Sequence, residues 1–328
     1  MVGVSHPSSQ SSAPGPDPAS GPAVGAGSGA GDETAWTTPI VGPEALAAAL
    51  RSADPPVVLD VRWRLGGPHG RADHLTGHVP TAGFVDLDSE LADPAGGGGP
   101  GGRHPLPSTA RLEKALRLCG VRGSSRVVAY DDGDGSVAAR AWWLLRWAGL
   151  PADRVAVLDG GWAAWRAAGL PRDTGPLAPQ DGTIVVRPGR MPVIDANGAA
   201  AVADVGVLLD ARAAVRYRGE QEPVDPRAGH VPGAVSAPST EHVGPDGRWL
   251  SREALAERFG GLGVVRGRTV GAYCGSGVAA ASVVLALEYA GLRTPERPAS
   301  LYAGSWSDWC SDRSRPVATG AEPGEPGP

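Results

Sequence analysis

Cys274 is the residue best placed in this sequence to act as a nucleophile. It follows a short apolar run, 269–272, that reads as a buried strand, and it precedes residues 281–288, which have helical spacing and good helix formers. Between strand and helix the chain passes through Gly275 and Gly277. At a helix N-terminus, unpaired N–H groups and the positive end of the helix dipole favour an anion. A thiol placed there should lose its proton more easily than a free thiol, and the thiolate is the reactive form.

Three reactions could use a cysteine in a strand-to-helix loop. Phosphoester cleavage needs an arginine six residues after the cysteine to clamp the phosphate, and that position is Ala280. Acyl transfer needs a histidine base; His230 and His242 are available, but no papain-type signature surrounds Cys274. In sulfur transfer the thiolate takes the outer sulfur of a donor and becomes a persulfide, whose charge the loop N–H groups can hold. The loop favours this third reaction, which requires no metal and no organic cofactor.

The rest of the chain reads as two copies of one α/β unit. Four segments of the first half recur in order in the second half at offsets of about 150 residues: 57–62 and 207–212, 77–80 and 229–232, 127–130 and 270–273, 160–162 and 304–306. Ordered matches at a near-constant offset indicate a tandem duplication. Strands that alternate with helices predict a parallel sheet flanked by helices in each copy. We therefore expect an α/β fold of two tandem domains.

The two copies are not equivalent in chemistry. Asp131 stands in the first copy where Cys274 stands in the second, and a carboxylate cannot accept a sulfur atom, so the first domain is expected to be catalytically silent. The composition predicts five segments. These are a disordered N-terminal tail at 1–34, a non-catalytic domain at 35–172, a linker at 173–190, a catalytic domain at 191–316 and a disordered C-terminal tail at 317–328.

The stretch from Cys274 to Ala280 resembles the active-site loop of the mercaptopyruvate branch of the rhodanese sulfurtransferases, usually Cys-Gly-Ser-Gly-Val-Thr. Ala279 departs from this pattern, since the family usually has a threonine there. The thiosulfate-using rhodaneses typically carry basic residues just after the cysteine, where this chain has Gly275 and Ser276. The tandem repeat is also similar to the two-domain rhodaneses. The resemblance implies a 3-mercaptopyruvate sulfurtransferase; a thiosulfate sulfurtransferase and a non-catalytic sulfur-relay or scaffold module are the alternatives.

The resemblance further implies which residues bind the donor. The segment 210–219 resembles the family pattern Asp-x-Arg-x-x-x-Arg-Phe-x-Gly, in which the second arginine, Arg216 here, holds the substrate. A planar guanidinium suits the carboxylate of mercaptopyruvate. Arg227, which follows Asp225-Pro226, is the nearest candidate for the family's second substrate arginine. The anion cradle would be formed by the loop after the cysteine, namely Gly275, Gly277, Val278 and Ala279.

Two residues of the first domain are implied to reach the same site. The segment 84–88 resembles the family's Phe-x-Asp-x-Asp, and 103–107 resembles its His-x-Leu-Pro. By that match Asp88 and His104 orient each other and, with Ser276, relay a proton as pyruvate leaves. Histidine suits this role because its pKa lies near neutral pH.

Composition and charge narrow the class of protein and its partners. A formal net charge of −5 with scattered arginines argues against a nucleic-acid partner, and no apolar run is long enough to cross a membrane. Three separated cysteines are too few for a disulfide framework or a zinc site. No secretory signal is present, so we expect a reducing, cytoplasmic setting. The expected partners are a small-molecule sulfur donor and a thiol acceptor, such as thioredoxin or a low-molecular-weight thiol.

Overall fold

The duplicated sequence pattern forms two sheets of the same topology. The computed structural model describes residues 35–93 and 101–325, together with Met1 and Gly3. Almost all of the tail predicted at 1–34 therefore lies outside the described residues, as do residues 94–100 and the last three residues.

The first domain contains five strands and five helices among its described residues. The strands are β1 Ile40–Val41, β2 Val57–Asp60, β3 Gly83–Phe84, β4 Val127–Tyr130 and β5 Val155–Leu158. The helices are α1 Pro43–Ala49, α2 Gly70–Thr76, α3 Thr109–Leu118, α4 Ser136–Trp147 and α5 Gly161–Ala167, with a 3-10 turn at Ala152–Arg154.

The second domain repeats this order. Its strands are β6 Val193–Ile194, β7 Val207–Asp210, β8 Val235–Ser236, β9 Val270–Tyr273 and β10 Ser300–Tyr302. Its helices are α6 Ala196–Val205, α7 Ala214–Tyr217, α8 Arg252–Gly261, α9 Ala279–Tyr289 and α10 Ser305–Trp309, with a 3-10 turn at Ser239–His242.

The two strand orders are β1-β5-β4-β2-β3 and β6-β10-β9-β7-β8, so each strand has its counterpart in the same place. All strand pairs are parallel, which is why each connection crosses over through a helix or a long loop. The predicted α/β fold with two tandem domains is confirmed. The central strands β4 and β9 end at one edge of their sheets, and the loops after them carry Asp131 and Cys274.

The Asp-x-Arg motif of each copy fixes the Gly-His-Val-Pro turn beside it. In the second domain, buried Arg212 donates to Asp210 at 2.6 Å and to the carbonyl of Gly229 at 2.7 Å. The hydroxyl of Tyr273 accepts a hydrogen bond from Val231 N in the same turn. In the first domain Arg62 donates in the same way to Asp60 and to the carbonyl of Gly77. Because both copies use this arrangement, it is structural, and it holds the end of β9 in place directly before Cys274.

Segments after the last helix of each copy close the fold on these turns. Asp173 pairs with His78, and Ala318 pairs with His230 in the same antiparallel manner. Pro323 also accepts a hydrogen bond from Gly233 N. The prediction of a disordered tail beginning at 317 is therefore wrong for residues 317–323. Composition alone does not show that the backbone groups of the buried His230 turn need hydrogen-bond partners. It also does not show that the repeat extends past residue 316 and supplies these partners.

The two domains share one apolar core, built around the contact between α4 and α9. Trp142 and Trp143 of α4 are fully buried in it. Arg146, at the end of α4, donates to Glu288 of α9 at 2.9 and 3.2 Å, and both side chains are buried. This ion pair crosses the domain interface. Because both side chains are buried, little water can reach either charge if its partner is removed.

We expect Arg146→Met to lower the free energy of unfolding by about 3–5 kcal/mol, because it leaves the buried Glu288 carboxylate uncompensated. Replacing both partners, Arg146→Met with Glu288→Leu, should recover most of that loss, since no buried charge is left unpaired. Denaturant unfolding of the three proteins measures this. A double variant no more stable than the single one would show that the pair is not the source of the loss.

Candidate active site

A cavity of about 320 Å³ opens between the domains at the ends of β4 and β9. The loop after Cys274 forms one wall, and the first domain contributes Trp63, Arg103 and Asp134 to the others. A larger, mostly apolar cavity of about 590 Å³ lies in the first domain beside Cys119. Burial raises the pKa of Cys119 to about 12 and that of Cys310 to about 11, so neither thiol suits a nucleophile at neutral pH. Of the three cysteines, Cys274 is the one that lines the interdomain cavity.

Cys274 lies at the base of this cavity with its sulfur held by backbone N–H groups. Gly277 N donates to Cys274 Sγ at 3.1 Å and Ser276 N donates at 3.5 Å. Gly277 has φ +78°, and a Cβ there would lie 2.4 Å from the carbonyl oxygen of Ala303. Only glycine can therefore turn the chain so that these N–H groups face the sulfur. The remaining predicted loop residues, Gly275, Val278 and Ala279, line the cavity.

The matching loop of the first domain has the same kind of cradle, with a carboxylate inside it. Asp131 accepts hydrogen bonds from four N–H groups, those of Gly133, Gly135, Val137 and Ala138. Burial raises the pKa of Asp131 to about 6, although these hydrogen bonds act in the opposite direction. The internal carboxylate thus fills the place that the sulfur occupies in the second domain.

Ser276, His104 and Asp88 form a connected group across the domain interface. His104 Nδ1 lies 2.8 Å from Ser276 Oγ, and His104 Nε2 lies 3.1 Å from Asp88 Oδ1. Trp63 Nε1 donates to the other oxygen of Asp88 at 2.8 Å, and its ring packs edge-on against the imidazole. Burial lowers the pKa of His104, and the nearby Asp88 partly offsets this. The structure therefore brings together the three residues predicted to act as one group.

Arg216 also lies at the cavity, where it forms ion pairs with two carboxylates. Its Nη2 donates to Glu222 at 2.6 Å and to Asp225 at 3.0 Å. Arg103 of the first domain forms an ion pair with the other oxygen of Asp225. A Cβ on Gly275 would lie 2.9 Å from Arg103 and 3.4 Å from Arg216, so both guanidinium groups border the loop that holds the sulfur. The guanidinium groups of Arg103 and Arg216 thus form an arginine wall beside Cys274.

The structure places Arg227, predicted as a second substrate arginine, away from the cavity. Its guanidinium donates to the carbonyls of Asp312 and Arg315, and it does not line the cavity. The turn after Pro226 points this side chain towards the C-terminal segment instead. Arg103 lines the cavity instead, and its position next to His104 in the sequence was the signal that could have identified it.

Among residues 35–93 and 101–325, no group of three or more histidine, cysteine or carboxylate side chains could hold a metal ion. None of the helices in the same ranges is long and apolar enough to span a bilayer.

Comparison with known proteins gives the same two-domain division and the same kind of activity. A family model described as a rhodanese-like domain matches residues 43–168 and 196–312. The chain is 48% identical over 285 residues to a probable 3-mercaptopyruvate sulfurtransferase of Pseudomonas aeruginosa, covering 84% of this chain and 96% of that one. It is 46% identical over 281 residues to the putative thiosulfate sulfurtransferase SseB of Mycobacterium tuberculosis, covering 84% and 95%.

Among solved structures, the chain resembles SseA, a 3-mercaptopyruvate sulfotransferase of Escherichia coli. The TM-score is 0.71 at 30% sequence identity, and the match covers 82% of this chain and 99% of SseA. The relatives thus share sulfur transfer, but their names differ in the sulfur donor.

Proposed function

Since this chain belongs to the rhodanese family and is a sulfurtransferase, we propose that it moves sulfur from 3-mercaptopyruvate, through a persulfide on Cys274, to a thiol or cyanide acceptor. The observation that carries this proposal is the placement of the Cys274 sulfur: two N–H groups hold it, and Arg103 and Arg216 border the cavity from outside its loop. Such a site binds a donor whose carboxylate is separate from the sulfur that it gives up.

In the first step the Cys274 thiolate attacks the sulfur of mercaptopyruvate. A sulfur–sulfur bond forms, the carbon–sulfur bond of the donor breaks, and its electron pair leaves with the carbon. That carbon takes up the proton of the donor thiol, so pyruvate leaves and Cys274 carries a persulfide anion. In the second step an acceptor thiol takes the outer sulfur, and the Cys274 thiolate is restored. The N–H groups of Ser276 and Gly277 stabilise the anion present at each stage.

We propose that the arginine wall binds the donor carboxylate and keto group. Arg216 and Arg103 converge beside the loop and share the carboxylate of Asp225 between them. A donor carboxylate can join the open edges of both guanidinium groups without the cost of ordering them, because the ion pairs already hold them in place.

We propose that Ser276 and His104 carry the proton from the donor thiol to the departing carbon, with Asp88 orienting the imidazole. The 2.8 Å contact between His104 and Ser276 gives a direct route for the proton. Burial lowers the pKa of His104 from its ordinary value of 6.5. The imidazole therefore stays neutral, and able to accept a proton, as the pH falls through 6.5.

This relay predicts how persulfide formation depends on pH. The rate of loading by mercaptopyruvate should hold as the pH falls through 6.5 and decline only at lower pH. Asp88→Asn removes the charge that raises the pKa of His104, so the decline should move to still lower pH. Single-turnover loading measured between pH 5 and 8 tests both points. A decline that begins above pH 6.5, or that moves upward in Asp88→Asn, would contradict the role of His104.

Thiosulfate is the alternative donor, and the relative named as a thiosulfate sulfurtransferase gives it weight. The residues beside the sulfur disfavour thiosulfate, because Gly275 and Ser276 provide no positive charge within the loop to bind this dianion. Steady-state kinetics with cyanide as acceptor decides between the donors. We expect kcat/KM for mercaptopyruvate to exceed that for thiosulfate by about 100-fold or more. A ratio near one or below it would overturn the choice of donor.

We further propose that the acceptor is a low-molecular-weight thiol or a protein thiol such as thioredoxin, and that the protein acts in the reducing cytoplasm. The three cysteines are free, as that setting requires. The domain boundaries 35–172 and 191–316 likewise stay a proposal, which the two matched ranges of the family model support. A non-catalytic relay module is the remaining alternative, and it would show no turnover with either donor.

A further inference from the structure

Arg140 of α4 is a fully buried arginine that the proposed chemistry has not used. Its side chain has no exposed surface and extends from the silent domain to the back of the catalytic loop. There Nη1 donates to the carbonyl of Gly277 at 3.2 Å, and Nη2 donates to the carbonyl of His104 at 3.1 Å. Leu91 and Pro105 supply further carbonyl contacts at 3.4 and 3.3 Å. One guanidinium thus joins the two segments that carry Ser276 and His104.

Arg140 differs from Arg146 on the same helix in having no carboxylate partner. Arg146 is also buried, but its charge is balanced by Glu288. In the part of the chain that the structure describes, Arg140 contacts only carbonyl oxygens, and its Nε has no hydrogen-bond partner. A buried guanidinium without a counter-ion costs much free energy, so its presence calls for an anion nearby.

In the proposed chemistry the Cys274 thiolate supplies that anion. Arg140 Nη1 and the Cys274 sulfur contact opposite sides of one residue, since Gly277 gives its carbonyl to the arginine and its N–H to the sulfur. Burial lowers the pKa of Arg140 to about 10, and the charge of Cys274 acts in the opposite direction. Arg140 is therefore protonated at neutral pH, and the field between the two charges passes through a dry interior, where screening is weak.

We propose that Arg140 is a positioning residue for sulfur transfer, which balances the charge of the Cys274 thiolate and persulfide and holds the His104 segment against the catalytic loop. This inference rests on the proposed persulfide chemistry. It assigns a task to the silent domain beyond the relay: the domain places a fixed positive charge behind the nucleophile, where no solvent ion can reach.

Other charged groups also border Cys274 and set the background against which Arg140 acts. The second domain contributes Arg212, Arg216, Glu222 and Asp225, and the first contributes Asp88, Arg103, His104, Asp131 and Asp134. Each arginine in this set forms an ion pair with at least one carboxylate, whereas no such pair of Arg140 is found in the part of the chain that the structure describes. Removing Arg140 therefore takes away a positive charge that no neighbouring carboxylate already offsets.

The test measures how fast iodoacetamide alkylates Cys274 at pH 7.5, resolved by peptide mass from Cys119 and Cys310. The reagent is neutral, so its rate reports the thiolate and not the binding of a donor. We expect Arg140→Gln to slow alkylation about tenfold and Arg140→Lys, which keeps the charge, to restore it to within about threefold of the native rate. The double variant Arg146→Met with Glu288→Leu, which leaves no buried charge unpaired, serves as the control on the same helix and should leave the rate within about twofold.

Loading by mercaptopyruvate separates the two parts of the proposal. A lysine ammonium cannot span the carbonyls of Gly277 and His104, so Arg140→Lys should load about tenfold more slowly while its alkylation is nearly normal. If Arg140→Gln does not fold, this comparison within Arg140→Lys still decides. Equal losses of alkylation and loading in Arg140→Lys, or no loss of either, would overturn the proposal, as would normal alkylation in folded Arg140→Gln. A native protein that alkylates but never loads would instead refute the proposed function, and the alkylation rates of Arg140→Gln and Arg140→Lys would still decide whether Arg140 balances the charge of the Cys274 thiolate.

Discussion

Cys274→Ser is expected to reduce sulfur transfer by ~10⁴-fold or more, because it removes the atom that we propose carries the transferred sulfur. A serine hydroxyl does not ionise at neutral pH, and an oxygen in its place cannot form the persulfide. The change preserves size and keeps an acceptor for the N–H groups of Ser276 and Gly277, so the fold should persist. Steady-state turnover with mercaptopyruvate, together with the thermal midpoint, measures both expectations.

Cys119→Ser and Cys310→Ser are the controls for this prediction. Both thiols are buried, and burial raises the pKa of each, so neither should contribute to turnover. We expect both variants to keep at least half of the native rate. If Cys274→Ser kept more than a few per cent of the activity, or if one of the controls lost it, the nucleophile would have to be sought elsewhere.

Arg216→Gln is expected to lower kcat/KM for mercaptopyruvate by about 100-fold, which corresponds to about 3 kcal/mol. The variant loses a charge-assisted contact with the donor carboxylate and leaves Glu222 and Asp225 with one cation fewer, so the wall becomes more negative. The fall in kcat/KM should come mainly from a higher KM, because the donor carboxylate is bound throughout the reaction and is not itself transformed. Initial rates over a range of donor concentrations separate KM from kcat.

Arg227→Gln is the matched control, since the same change is made at an arginine that contacts only backbone carbonyls away from the cavity. We expect its kcat/KM to stay within about threefold of the native value. A loss at Arg227 as large as that at Arg216 would restore Arg227 to the substrate site and refute the assignment made from the structure. A normal KM in Arg216→Gln would refute the arginine wall.

The fold followed closely from the sequence because its signals are local and occur twice. Apolar runs such as 57–60 and 207–210, each followed by Asp-x-Arg, define strands whose pairing the duplication constrains. The loop after Cys274 could also be predicted from the sequence, because Cys274 and the helix that begins at Ala279 are neighbours in the chain. The one error in the fold concerned residues 317–323, whose composition resembles a tail but whose backbone pairs with the His230 turn.

The site was predictable only in part because it is assembled across a domain interface. Ser276 and His104 are 172 residues apart, and no local pattern links them; the family resemblance did. The resemblance did not point to Arg103 or Arg140, and both were missed. The role of an arginine depends on which carboxylates or carbonyls fold against it, and the sequence does not show this. Arg227 shows the converse case, in which a side chain near a matching motif lies away from the cavity.

Intact-mass spectrometry after brief exposure to a donor tests the central proposal most directly. The native protein and Cys274→Ser are each treated with mercaptopyruvate and, separately, with thiosulfate. We expect the native protein to gain the mass of one sulfur atom with mercaptopyruvate, and Cys274→Ser to gain nothing. A gain with thiosulfate alone would reassign the donor. No gain with either donor would contradict a persulfide on Cys274 and leave a binding module of the same fold.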